Sequence, residues 1–381
     1  MDRIKVCSVF GTRPEAIKMA PVVLELQSRA NDFEHVLVVT GQHRAMLDQM
    51  LSLFGLTPDH DLDIMQARQT LTHVTTATLT RIEDVFKKER PDIVLVHGDT
   101  STSFVSGLAA YYQQIPVGHV EAGLRTGDKY NPFPEEMNRR LIDSLADLLF
   151  APTRAAADAL IAENADPNAI YITGNTVIDA LLTVAGKPEP ESLLPEIPPH
   201  ARIILVEAHR RENLGRPMEQ ICQALLDLAQ RPDVHIVFPV HLNPAVRDTV
   251  MPMLQGKERI SLLEPCDYLP FVFLMKRAAI ILTDSGGIQE EGPSLKSPVL
   301  VLRKTTERPE AIEAGTAVLV GPDRDAIVRH ATRLLDDPAA YEHMTGAMNP
   351  YGDGRAAARI ADALLHYFKR LPHRPADYSG A

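Results

Sequence analysis

Tryptophan is absent, aromatic residues make up only 5% of the 381 residues, and cysteine occurs three times, at Cys7, Cys222 and Cys266. These cysteines are odd in number, far apart and without a CxxC or histidine pairing, which excludes a disulfide framework and a zinc ribbon. No apolar run approaches the roughly 18 residues of a membrane span. Ahead of the strand-like run Ile4 to Phe10 there is no basic region followed by a long apolar stretch, so a soluble, cytoplasmic protein is expected. Positive charge is also in deficit: 39 Lys and Arg against 50 Asp and Glu leave a formal charge of -11. Broad surfaces for nucleic acid or anionic membrane are therefore excluded, and any anionic ligand must meet a local basic site. Neither a Walker pattern nor GxGxxG follows the first strand, which removes the usual signals for nucleoside triphosphate and dinucleotide binding.

What is present agrees with a folded enzyme, with 45% apolar and 23% charged residues. The length predicts two domains, each of roughly 150 to 200 residues. Short β-branched runs alternate with helix-length segments: Ile4 to Phe10, His35 to Thr40, Ile93 to Val96, Val117 to Val120, Leu148 to Ala151 and Ile170 to Thr173. A second series follows at Ile203 to Val206, His235 to Val240, Ile260 to Leu263, Ala279 to Leu282, Val299 to Leu302 and Ala317 to Val320. This spacing predicts βα units and two Rossmann-like, doubly wound parallel sheets facing a cleft. The expected boundaries are 1–175 and 176–354, with a final helix at about 355–371 returning to the first domain, and the proline-rich stretch from Lys187 to Pro199 as part of the connection.

Chemistry-bearing residues stand where these strands end. After the first strand comes Gly11-Thr12-Arg13-Pro14-Glu15-Ala16-Ile17-Lys18, in which Thr12 and Glu15 have capping-box spacing and Arg13 and Lys18 add positive charge to a helix N-terminus, an arrangement suited to phosphate. Its counterpart is Thr283-Asp284-Ser285-Gly286-Gly287-Ile288-Gln289-Glu290-Glu291, where Ser285, Gly286 and Gly287 can cradle a diphosphate and Glu291 can bind ribose hydroxyls. Acid and base candidates are Asp99, Glu121 and Glu135, expected to converge and to raise one another's pKa by crowding. His209, beside Arg210 and Arg211, is a candidate proton donor or leaving-group contact. Each motif also has an ordinary structural reading, as a capped helix, a glycine turn or a surface ion pair.

Taken together, FGTRPEAIKMAP, VHGDT, GHVEAGLRTGD, PEEMNRR, AHRREN, FPVHLNP, LTDSGGIQEE, TTERPEA and NPYGDG resemble the bacterial non-hydrolysing UDP-N-acetylglucosamine 2-epimerases, over about residues 4 to 360. The resemblance implies a glycosyltransferase-B fold, a homodimer, no cofactor and no metal, and a UDP-sugar as substrate. It implies that Arg13, Ser285, Gly286 and Gly287 hold the diphosphate, Glu291 the ribose and the backbone near Phe271 the uracil, with Lys18 and Arg308 as further contacts. Asp99, Glu121, Glu135 and His209 match the family's acid and base positions, and Gln42, His43 and Arg68 match a second, activating UDP-sugar site. Two positions depart from the pattern: Glu207 stands where threonine is common, and Cys266 where glutamine or another larger side chain is common.

Overall fold

A computed structural model describes residues 2–41, 44–66, 69–189 and 197–380; Gln42, His43 and Arg68 lie outside them. Seven strands, β1 (Ile4–Phe10), β2 (Phe33–Val39), β3 (His60–Asp61), β4 (Ile93–His97), β5 (Val117–Val120), β6 (Leu148–Ala151) and β7 (Ile170–Ile172), form one sheet in the order β3-β2-β1-β4-β5-β6-β7. Six more, β8 (Arg202–Glu207), β9 (Val234–Pro239), β10 (Ile260–Leu263), β11 (Ala278–Thr283), β12 (Val299–Val301) and β13 (Ala317–Leu319), form a second in the order β10-β9-β8-β11-β12-β13. Every pairing is parallel. The doubly wound α/β architecture expected from the sequence is therefore present in both halves.

The apolar runs become strands because both faces are covered, as parallel sheets require. On one face of the first sheet Cys7, Val9, Val36, Val38, Val94 and Val96 are buried with Val74, Ile82 and Phe86 of the helix Leu71–Glu89. In the second, Ile204, Val206, Ile236, Phe238, Ile280 and Leu282 pack with Met218, Ile221 and Leu225 of the helix Arg216–Leu228.

The chain divides into two compact units, the second being Leu181–Pro350 and the first the chain before and after it. The division falls within the helix Thr176–Ala185, ahead of the proline-rich stretch; Val177, Ile178, Ala180, Leu181 and Val184 of that helix are all buried. The last helix, Ala356–Tyr367, belongs to the first unit. Its N-terminus is capped by Asp179, whose carboxylate accepts the N–H groups of Ala356 at 3.2 Å and Ala357 at 2.8 Å. Among the described residues no helix is long and apolar enough to cross a membrane.

Topology decides where function can lie. In each sheet the strand order reverses between two central neighbours, β1 and β4 in the first and β8 and β11 in the second. The loops leaving the carboxyl ends of such a pair diverge, and the gap between them is where doubly wound sheets take ligands.

Candidate functional site

In the first unit the loop after β1 starts the helix Arg13–Ser28. A Cβ on Gly11 would lie 1.9 Å from the Thr40 hydroxyl, so only glycine fits this close approach. Glu15 is buried and accepts the N–H groups of Gly11 at 3.0 Å and Thr12 at 2.8 Å, together with the hydroxyls of Thr100 at 2.6 Å and Ser103 at 2.8 Å. Thr100 caps the helix Ser101–Tyr112, so one carboxylate ties together the two helix starts that flank the β1–β4 gap. Arg13, half-buried, is the first residue of its helix. Gly11→Ala is expected to destabilise the fold by about 1 to 3 kcal/mol. The double variant Gly11→Ala with Thr40→Ala should be more stable than Gly11→Ala alone, since the opposing hydroxyl is gone; thermal unfolding of the pair reads that coupling.

Lys18, one turn further along, is ion-paired with Glu121. Glu121 follows β5 with φ at 67°, a left-handed backbone that a glutamate rarely adopts. Its carboxylate also accepts Asn175 Nδ2 at 3.0 Å and lies 3.3 Å from His97 Nε2. Burial pushes the His97 imidazole down to about 3, so it is neutral near neutral pH and Lys18 carries the balancing charge. Beside it the fully buried His119 places Nδ1 2.6 Å from Asp143 and Nε2 2.7 Å from the carbonyl of Gly98, which locks the turn that carries Asp99.

Asp99 is ion-paired with Arg139, and its carbonyl accepts Asn138 Nδ2 at 2.9 Å. Both partners lie on the helix Glu135–Leu145, whose first residue is the half-buried Glu135. Asp99, Glu121 and Glu135 thus all occur in the carboxyl-end loops of the first sheet. Asp99 is matched to Arg139 and Glu121 to Lys18, so each of these two carboxylates has a counter-charge.

In the second unit His209 lies two residues beyond β8. Its backbone N–H meets both oxygens of Asp284 at 3.1 and 3.0 Å, its Nδ1 lies 2.6 Å from Glu207 Oε1, and its ring stacks on His241 with centroids 4.9 Å apart. Asp284 is fully buried and also accepts the N–H of Arg210 and the amide of Asn213, each at 2.9 Å. Burial holds this carboxyl above its usual range, against the pull of those donors. Glu207, His209 and Asp284 offer three ligand atoms within 4.8 Å of one another. The hydrogen bonds just named draw the three side chains into one network.

Ser285 precedes the short helix Gly286–Glu291. The Arg308 guanidinium is ion-paired with the buried Glu290 and lies 4.0 Å from where a Cβ on Gly286 would stand, so the glycine leaves a floor open beneath a fixed cation. Glu291 accepts the hydroxyl of Tyr268 at 3.3 Å, and both Tyr268 and the half-buried Phe271 belong to the helix Tyr268–Arg277. Ser285, Gly286, Gly287, Glu291, Phe271 and Arg308 therefore fall on connected elements. Sequence reasoning missed His97, His119, Asn175 and Asp284, although each stands in or just after a recognisable strand run. A separate cavity of about 690 Å³, lined by Leu300, Ile312, His330, Leu334 and Met344 among others, contains none of the candidate residues.

The chain is similar to known proteins in sequence and in fold. The family model described as UDP-N-acetylglucosamine 2-epimerase matches residues 25–365. The Escherichia coli (strain K12) UDP-N-acetylglucosamine 2-epimerase is 54% identical over 370 residues, covering 95% of this chain and 98% of the relative. That of Bacillus subtilis (strain 168) is 50% identical and covers 100% of both chains. The crystal structure of the Neisseria meningitidis UDP-GlcNAc 2-epimerase bound to UDP-GlcNAc has a TM-score of 0.82 at 48% identity, covering 95% of this chain and 100% of that one.

Proposed function

The chain belongs to the UDP-N-acetylglucosamine 2-epimerase family, and from that premise we propose that it interconverts UDP-N-acetylglucosamine and UDP-N-acetylmannosamine without releasing the free sugar. The observation that carries the reading is Glu121: a carboxylate on strained backbone, gripped by Lys18 and Asn175 at a strand's carboxyl end. Backbone strain of this kind persists where the surrounding structure holds it for a purpose.

C2 of the sugar has no adjacent carbonyl, so removing its proton directly faces a high barrier. Departure of UDP resolves this. The C2–H pair becomes the C1=C2 bond of a 2-acetamidoglucal, the C1–O pair leaves with UDP, and the base keeps the proton. Return of a proton to the opposite face of C2 and of the UDP oxygen to C1 gives the epimer. Asp99, Glu121 and Glu135 serve as the acid and base groups, and His209 with Arg13, Lys18 and Arg308 stabilises the departing diphosphate. Ser285, Gly286 and Gly287 hold that diphosphate, Glu291 the ribose, and the backbone near Phe271 the uracil. The active form is a homodimer, to be checked by light scattering.

One incubation tests the reading. UDP-N-acetylglucosamine in D2O should give UDP-N-acetylmannosamine carrying deuterium at C2, with neither free sugar nor UDP accumulating. Epimer without deuterium at C2 would exclude elimination, and accumulation of free N-acetylmannosamine with UDP would show water capturing the intermediate.

A further inference from the structure

Glu207 and His209 are two residues apart at the end of β8, and Glu207 lies in register with Thr283 of the neighbouring β11. The Thr283 hydroxyl accepts the N–H of Ser285 at 3.0 Å and lies 2.9 Å from Glu207 Oε2. Because that hydroxyl already receives a proton from the backbone, its own proton goes to Oε2, which makes the carboxylate an acceptor there. The other oxygen, Oε1, faces His209 Nδ1 at 2.6 Å, so Nδ1 carries a proton and Nε2 is the ring's free edge. Thr283 is fully buried, which anchors the relay from the core outward.

We propose that Glu207 is the positioning residue of His209: it fixes the ring with Nδ1–H turned inward and retains the positive charge of the imidazolium, so that Nε2 is presented as a charged N–H donor to the leaving diphosphate. This rests on the reading of His209 as the partner of departing UDP. A carboxylate that orients an imidazole through Nδ1 and stabilises its charged form is a recurrent device for histidines that must donate from Nε2.

Charged groups from several elements act on the ring. Glu207 at the end of β8 and Asp284 after β11, whose Oδ1 lies 3.8 Å from Nδ1, both favour the imidazolium. Arg210 opposes it, and His241 stacks on the ring face. The balance raises the His209 pKa above its ordinary value, through the hydrogen bond to Glu207 first, with burial working against it. The sign follows directly. A raised pKa keeps the ring charged to higher pH, so the donor is lost only on the alkaline side, and removing the Glu207 charge brings that loss to lower pH.

Two substitutions separate orientation from charge. Glu207→Gln keeps an acceptor oxygen for Nδ1–H and removes the charge, while Glu207→Thr removes both yet suits a strand end. The readouts are the pH profiles of kcat and kcat/KM and the side-chain nitrogen NMR signals of His209, with His209→Asn as control. In the parent, Nδ1 should be the protonated nitrogen of the neutral ring. In Glu207→Gln the tautomer should stay and the ring titrate at lower pH, with a rate loss that grows to about tenfold towards alkaline pH. In Glu207→Thr the tautomer should become mixed and the rate fall at every pH. A Glu207→Gln ring that titrates like the parent's, or a loss equal at all pH values, overturns the proposal. Full activity in His209→Asn would instead remove the leaving-group reading, and the NMR titration would still decide whether Glu207 holds the ring.

Discussion

Glu121→Gln is expected to lower turnover by about 10² to 10⁴ while the fold stays intact. The substitution keeps the side-chain shape and an acceptor for Asn175, but it removes the charge that Lys18 faces and the group that can exchange a proton with C2. His97 cannot take over, because burial lowers its pKa to about 3 and leaves the ring too weak a base. The loss should appear in kcat more than in binding of UDP, whose proposed contacts are elsewhere. A companion variant separates chemistry from backbone strain. Glu121→Gly relieves a left-handed φ of 67° and should regain about 1 kcal/mol against the lost packing, yet it should be as inactive as Glu121→Gln. Measured turnover and thermal unfolding of both variants decide this, and full activity in Glu121→Gln would sink the assignment.

How much of this was legible beforehand varies with the range of the interactions involved. Both sheets could be read because their central strands are buried on two faces and are mostly apolar, as Ile4–Phe10 and Ala278–Thr283 are. β3 could not: its two residues, His60 and Asp61, carry no apolar signature and are defined by pairing with Val38 and Val39. The compact units divide between Ala180 and Leu181, inside the helix Thr176–Ala185, against an expected boundary between residues 175 and 176. At the site, residue types at strand ends were visible, but their pairing was not. Lys18 meets Glu121 across 103 positions and Arg139 meets Asp99 across 40, and no local pattern encodes such matches. Spacing alone places carboxylates at the strand ends, and tertiary structure adds the cation each of Asp99 and Glu121 meets. Asp284 looked like part of a phosphate loop, whereas its oxygens are turned onto the backbone of the loop after β8.

That role makes Asp284→Ala the most disruptive substitution expected in the second unit. The carboxylate is fully buried, and its removal strips partners from the N–H groups of His209 and Arg210 and from the amide of Asn213. Each buried donor left without an acceptor costs about 1 to 3 kcal/mol, so the sum is on the order of 3 to 5 kcal/mol once water reaches part of the loop. Asp284→Asn should be much milder. If its amide oxygen takes the Oδ2 position, it keeps the bonds from Arg210, Asn213 and His209, and its NH2 falls where Oδ1 shared the His209 N–H; the cost is the loss of charge assistance, about 1 kcal/mol. Activity should follow the same order, because the His209 ring depends on where its backbone is held: Asp284→Ala should lose at least about tenfold in kcat even in the fraction that remains folded, and Asp284→Asn less. Amide hydrogen exchange reads the loop directly, and the His209 and Arg210 amides should exchange far faster in Asp284→Ala while amides within β8 stay protected. Equal stability and equal exchange in the alanine and asparagine variants would mean that Asp284 does not anchor the loop, and would also remove the fixed backbone from which Glu207 is argued to orient His209.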